Sequence, residues 1–320
     1  MEILESIKSY SSVEEILGPK EQRYCSEGFK NVNFSFSDMV IKGGSLEAKV
    51  HVDFSKKWSS KNNENLKPHL GTTEYFNIAV IMSELLLLSQ FELDDVSISK
   101  SWVSYLKMKT KPAGENSLIQ NVKLDYDGTF EKKSGYGTSY FNISIGHMTI
   151  MLGIDHEIKK PRIEPFYVDF SFFIKNLEKH FYKTGYKECE TEIRDVELDL
   201  YAQTIQSNVI YKKSPHKHFG ISSVYSTMNV ANFVLVAGQL MQVLLYGLEG
   251  IRRDQSKNFW LRGLEINFDK PVSSLNNTAT ICCQTFKELI LRGEKWRVVD
   301  FAVSLDTLSA KFNMTHQIIK

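Results

Sequence analysis

The chain is short of cysteine and of net charge, and each shortage excludes a class of protein. Its four cysteines, Cys25, Cys189, Cys282 and Cys283, show no CxxC spacing. Neither a disulfide framework nor a zinc site is expected, and Cys282-Cys283, set in a β-branched run, reads as core packing rather than as a nucleophile. Thirty-nine Lys and Arg stand against 38 Asp and Glu, a net charge of +1. No basic cluster exceeds pairs such as Lys132-Lys133 and Arg252-Arg253, so nucleic acid is not an expected partner. No uninterrupted apolar run reaches the ~20 residues of a membrane span. The opening MEILESIKSYSSVEEILG lacks the basic start, apolar stretch and cleavage site of a signal peptide, which makes the cytoplasm the expected location.

What the sequence does contain is a repeat. Segments about 155–160 residues apart match in order. Arg23-Tyr24-Cys25-Ser26-Glu27-Gly28-Phe29-Lys30 parallels His180-Phe181-Tyr182-Lys183-Thr184-Gly185-Tyr186-Lys187. Lys100-Ser101-Trp102 through Lys111-Pro112 parallels Lys257-Asn258-Phe259-Trp260 through Lys270-Pro271, and Asp155-His156-Glu157-Ile158 parallels Thr315-His316-Gln317-Ile318. The 320 residues hold two compact units of ordinary size. We divide them into 1–158, a linker over 159–170, and 171–320. A duplicated and fused pair is expected to pack about a pseudo-twofold axis, with any site between the halves.

The halves share a grammar. Residues 11–30 read as a short helix and loop that Gly18-Pro19 interrupts. Alternation around Gly43-Gly44 signals a hairpin over 31–53. After a polar loop, Glu74 to Phe91 is apolar on nearly every side and too long for a strand, hence a buried helix that Thr72 or Thr73 can cap. Strands follow at about 101–111, 117–127 and 138–157. The second half repeats this with a hairpin over 190–211, a buried helix over 226–246, and strands at 258–269, 277–291 and 295–316. A single helix apolar all round needs a sheet to wrap it, and strands without intervening helices form an antiparallel sheet. The expected class is α+β: a tandem (double) hotdog, each half an antiparallel sheet around one long helix, one chain making its own pseudo-dimer.

Polar residues inside such helices need partners or a purpose. Aligning Ser83-Glu84-Leu85 with Gly238-Gln239-Leu240 sets Asn77 against Asn232 and Glu84 against Gln239. One half has a carboxylate where the other has its uncharged isostere. A histidine precedes each helix: His69 in the first half, His216 and His218 in the second. This order resembles the active-site stretch of hotdog dehydratases and thioester-processing enzymes, in which the histidine of one unit works with the carboxylate of the other. The resemblance implies that Glu84 faces His216 or His218 and that His69 faces Gln239, leaving one competent site at Glu84. Free amides at a helix amino terminus can hold a thioester oxygen, and such chemistry calls for no metal or cofactor. Asn77, Asn232, Gln239 and His69 would then position substrate. Structural readings stand beside these. The alternative for Glu84 is a core carboxylate paired with an Arg or Lys, such as Arg262. Asn77 and Asn232 are equally consistent with a hydrogen bond between the helices, and His69, His156 and His316 with structural roles.

Tyr10-Ser11-Ser12-Val13-Glu14-Glu15-Ile16-Leu17-Gly18, Arg23-Tyr24, Gly28-Phe29, Trp58-Ser59 and Leu66-Lys67-Pro68-His69-Leu70 together resemble the avirulence D (AvrD) family of plant-associated bacteria. The resemblance implies synthesis of acyl-sugar lactone elicitors from a β-ketoacyl chain and a ketose, and kinship with double-hotdog synthases of γ-butyrolactone signals. It implies an acyl carrier protein or coenzyme A thioester as donor and a small hydroxy-ketone, polyol or ketose as acceptor. A dehydratase or hydratase, a thioesterase, and a non-catalytic acyl-binding protein are the alternatives.

Overall fold

The computed structural model describes residues 7–54, 58–61, 64–111, 118–132, 135–161, 170–256, 258–271 and 277–318. Most of the 159–170 linker lies outside them, as do Pro112 and Lys257 at the ends of one repeat match.

The first half opens with Ile7–Ser12 (β1), then Val32–Lys42 (β2) and Ser45–Phe54 (β3). The turn between β2 and β3 holds Gly43 at φ +56°, a conformation that glycine adopts without strain. Along β3, Leu46, Ala48, Val50 and Val52 are buried and alternate with exposed residues, so one face packs and the other meets water. The buried helix Thr72–Gln90 (α1) follows, then Trp102–Thr110 (β4), Ile119–Glu131 (β5), Tyr136–Ile145 (β6) and Met148–Glu157 (β7). The second half runs Glu190–Asp199 (β8), Thr204–Lys212 (β9), the helix Val230–Glu249 (α2), Phe259–Phe268 (β10), Thr278–Leu291 (β11), Glu294–Leu305 (β12) and Leu308–Gln317 (β13).

Each half therefore has four strands after its helix, where the sequence suggests three. The stretches 138–157 and 295–316 are hairpins that turn at Gly146-His147 and Asp306-Thr307, with Gly146 at φ +54° and Asp306 at φ +56°. A two-residue turn interrupts the alternation so briefly that the pattern reads as continuous. The helix cap also differs from expectation. Gly71, not a threonine, precedes α1, and the Glu74 carboxylate accepts its amide at 2.9 Å. Gly71 is required there: a Cβ would sit 2.2 Å from the Tyr24 hydroxyl.

These thirteen strands join one antiparallel sheet in the order β1-β8-β9-β11-β12-β13-β10-β4-β7-β6-β5-β3-β2, and Ser60–Lys61 and Glu64–Asn65 pair separately as a two-stranded ribbon. Read outward from the β10–β4 junction, both halves give the same succession: third strand, sixth, fifth, fourth, second, first. The sheets meet edge to edge, Gly263 opposite Lys109 through Asn267 opposite Tyr105. Each curls over its own helix, and α1 and α2 pack against one another at the shared axis. Phe29 and Tyr186, aligned by the repeat, stack there at 5.8 Å. The chain is a double hotdog. β1 crosses the expected division at 158: it pairs with β8, from Ile7 opposite Asp199 to Ser12 opposite Arg194, and covers an edge of the second half. Among the described residues, α2 alone is long and apolar enough to cross a membrane, and it is buried inside this sheet.

Candidate active site

Two contacts, related by the repeat, tie each central helix to the other half. The first centres on Glu84, midway along α1. Its Oε2 accepts from His180 Nε2 at 3.0 Å and from the Ile221 amide at 2.8 Å. His180 Nδ1 accepts from the Tyr182 amide at 3.2 Å, which leaves the imidazole proton on Nε2, aimed at the carboxylate. The ring is fixed by backbone: Phe219 pairs with His180 as an isolated bridge, and Gly220 (φ +89°) passes so close that a Cβ would lie 2.3 Å from Nε2. Glu84 and His180 are both buried.

The second contact is its mate. Gln239 stands on α2 where Glu84 stands on α1, and Arg23 stands where His180 does. Arg23 Nη1 donates to Gln239 Oε1 at 2.7 Å, while Gln239 Nε2 donates to the Cys25 carbonyl at 3.2 Å. Arg23 Nη2 pairs with Glu14. One copy holds a carboxylate and an imidazole; the other holds an amide and a guanidinium.

The expected partners of Glu84 are therefore corrected. His216 and His218 do not reach it. Their Nδ1 and Nε2 meet Glu188 Oε2 at 3.0 and 2.9 Å. Burial would raise the Glu188 carboxyl, but hydrogen bonds from Ser214, His216 and His218 override it and hold the group at about 2. The 214–221 loop does run to Glu84, but it delivers the Ile221 amide while His218 turns toward Glu188. Arg262 is no partner either; it lines a separate cavity. Asn77 and Asn232 do not bond across the helices. Asn232 donates to the Tyr186 carbonyl at 3.2 Å and accepts from Asn229. Asn77 is fully buried, and its side chain lies against the Tyr186 hydroxyl. His156 bonds Ser139 at 2.7 Å and His316 bonds Glu249 at 3.1 Å, both inside the fold.

The open space lies at the second contact. A cavity of 420 Å³ is lined by residues from both halves, including Arg23, His69, His147 and Gln239. Neither Glu84 nor His180 borders it. The structure thus brings His69 and Gln239 to one cavity, while Glu84 lies buried in a separate contact. His69 is held between Trp58 and Trp260, at ring separations of 4.6 and 4.9 Å. Its Nδ1 meets the Lys67 carbonyl at 3.4 Å, and Nε2 has no partner among the described residues. Burial lowers its pKa against the raising effect of the Lys67 carbonyl, with His147 adding to the lowering, which favours the neutral imidazole. His147, on the β6–β7 turn, is likewise lowered by burial. Gly71, Thr72 and Thr73 bring the first turn of α1 to the wall, where backbone amides lack acceptors within the helix. Burial pushes the Cys25 thiol up to about 12 against the lowering effect of Arg23, which disfavours the thiolate. His147 escaped the sequence reading because its turn was hidden inside an apparent strand. Arg23 and His180 were already set opposite one another by the repeat, and crossing that match with Glu84 and Gln239 would have found both contacts.

The profile described as Pseudomonas avirulence D protein (AvrD) matches residues 8–318. The chain belongs to the AvrD family. No curated protein matches it in sequence. Solved structures similar to it include a tesB protein of Mycobacterium avium subs paratuberculosis (7% identity, 88% of this chain and 96% of that one, TM-score 0.41). Others are the 12:0-ACP thioesterase of Umbellularia californica (9%, 86% and 95%, 0.41) and the dehydratase domain of the polyketide PpsC of Mycobacterium tuberculosis (7%, 89% and 98%, 0.40). At these scores the likenesses say nothing of this AvrD-family chain's chemistry, and its fold assignment stands on the sheet order.

Proposed function

We propose that the chain is an enzyme of acyl thioesters whose working site is the cavity at His69 and Gln239, and that it joins a β-ketoacyl thioester to a small hydroxy-ketone or ketose. The observation that carries this reading is an aromatic-clamped His69 whose Nε2 has no partner among the described residues, in a 420 Å³ cavity between the halves. Neutral imidazole is a competent base. On this reading Nε2 takes the proton of the acceptor hydroxyl as that oxygen attacks the thioester carbonyl. The carbonyl oxygen gains its negative charge at the Thr72 and Thr73 amides. The carbon–sulfur bond then breaks, the electron pair leaves with sulfur, and the imidazolium returns its proton to the thiolate. Gln239, its amide engaged by Arg23 and the Cys25 and Leu235 carbonyls, shapes the polar end of the cavity, and Leu235, Met241, Phe312 and Met314 supply an apolar wall for an acyl chain. The product class implied by the AvrD family is consistent with this. The test is incubation with β-ketoacyl thioesters and small ketoses, followed by mass spectrometry. A new ester, or a lactone derived from it, supports the reading; free β-keto acid or an enoyl product alone replaces it with hydrolysis or dehydration.

A further inference from the structure

Every residue from Lys287 to Lys295, the end of β11, its turn and the start of β12, is exposed. Within this stretch Leu289, Ile290 and Leu291 are 53%, 72% and 60% exposed. On one edge β11 is held by β12, from Thr285 opposite Asp300 to Leu291 opposite Glu294, and Arg292 (φ +53°) and Gly293 (φ +80°) close the hairpin tightly. On the other edge β9 pairs only as far as Cys282, opposite Thr204, and among the described residues no strand continues alongside. The ribbon thus runs past the end of β9. Strand alternation puts Leu289 and Leu291 on one face and Ile290 on the other. The fold does not demand these side chains. At the same place in the first half, between β5 and β6, the sequence is Lys132-Lys133-Ser134-Gly135. Three adjacent aliphatics in water, where the repeat is polar, mark a contact surface.

The shape of that surface selects its occupant. A strand added along the open edge of β11 would pair with the backbone and leave both faces wet. A flat protein surface would cover one face. An apolar medium that closes around the tip covers both. The charges agree with this: Lys287, Arg292 and Lys295 stand against Glu288 and Glu294, and Lys295 meets Glu288 at 2.8 Å. The tip is left slightly cationic, which suits a surface carrying anionic head groups. Trp296, directly opposite Leu289, continues the Leu289–Leu291 face to the cavity wall. Tryptophan is favoured at the depth where head groups meet acyl chains.

We infer that the β11–β12 hairpin docks the protein on a lipid bilayer, with Leu289, Ile290 and Leu291 entering at head-group depth, where water still reaches the edge amides of β11. The inference stands apart from the proposed function and needs no turnover to be tested. The full chain is sedimented with vesicles of mixed phosphatidylcholine and phosphatidylglycerol. The wild type should be retained, and retention should persist at high salt because the charges of the tip nearly cancel. Replacing the three aliphatics together, Leu289→Ser, Ile290→Ser and Leu291→Ser, should cut partitioning about tenfold or more. All three are exposed, so circular dichroism should not change; if the triple variant misfolds, Ile290→Ser alone is read, with about a threefold loss expected. Ile290→Trp separates insertion from adsorption: its emission should shift to shorter wavelength on vesicles and be quenched by brominated phosphatidylcholine. No retention of the wild type, retention unchanged in the folded serine variant, retention abolished by salt, or no quenching of Ile290→Trp overturns the inference. So does a wild-type dimer in light scattering that the serine variant loses while vesicles retain neither protein, for the occupant of the tip is then a second copy of the chain.

Discussion

Glu84 is the residue on which sequence and structure part, and its substitution by glutamine separates their consequences. If Glu84 were an acid or base, Glu84→Gln would abolish turnover. The structure predicts otherwise, because the carboxylate serves as an acceptor for two buried donors, His180 Nε2–H and the Ile221 amide. A glutamine Oε1 can accept both, and the repeat already uses glutamine at the equivalent position, Gln239. Exchanging a charged acceptor for a neutral one weakens each bond by about 1 kcal/mol, partly offset because no charge is then buried. We expect Glu84→Gln to lose roughly 0–2 kcal/mol. Glu84→Leu strands both donors, at about 1–3 kcal/mol each, and should lose roughly 2–6 kcal/mol. Urea unfolding of both variants reads the difference, and product yield from a thioester and a ketose reads activity. Retained turnover and a clear stability gap between Gln and Leu are expected. A folded Glu84→Gln protein without turnover would refute the reasoning and return Glu84 to the mechanism.

His69→Gln should keep the fold and cut turnover by about 10²–10⁴-fold, the usual weight of a general base; single-turnover mass spectrometry checks this. Gly220→Ala, by driving a Cβ into His180 at a strained φ, should cost about 2 kcal/mol or more, read as a lower melting temperature; an unchanged one would show that the Glu84–His180 contact is not rigidly held. His69, His147 and His156 are all lowered by burial, so their folded pKa values lie below the ~6.5 of the unfolded chain. Between those values the unfolded chain binds more protons, and stability should fall as pH drops below about 6.5. A urea midpoint higher at about pH 5.5 than at about pH 7.5 would contradict this. Gln239→Leu leaves Arg23 Nη1 without its acceptor and should reduce turnover while leaving the Glu84 contact intact, as hydrogen exchange at the Ile221 amide would show.

Much of the fold was legible. Two helices apolar on every face demanded two wrapping sheets, and the constant offset of the repeat demanded that they be alike. What escaped was short or non-local. Residues 7–12 carry little apolar content and became a strand because β8 offered an open edge. The Gly146 and Asp306 turns were too tight to break the alternation. At the site, the histidines nearest each helix in sequence drew the pairing. His69 does border a cavity with Gln239, but His216 and His218 serve Glu188. The true partner of Glu84, His180, comes from a loop about fifty residues before α2, delivered by a backbone pairing with Phe219 that no side-chain pattern announces.

On the proposed reading, chemistry occurs beside His69 and not beside Glu84. The most direct measurement is the mass-spectrometric yield of condensed product from one β-ketoacyl thioester and one ketose, with the wild type, His69→Gln and Glu84→Gln compared side by side. Product is expected from the wild type and Glu84→Gln, with a near-complete loss in His69→Gln. Product from His69→Gln with none from a folded Glu84→Gln contradicts it.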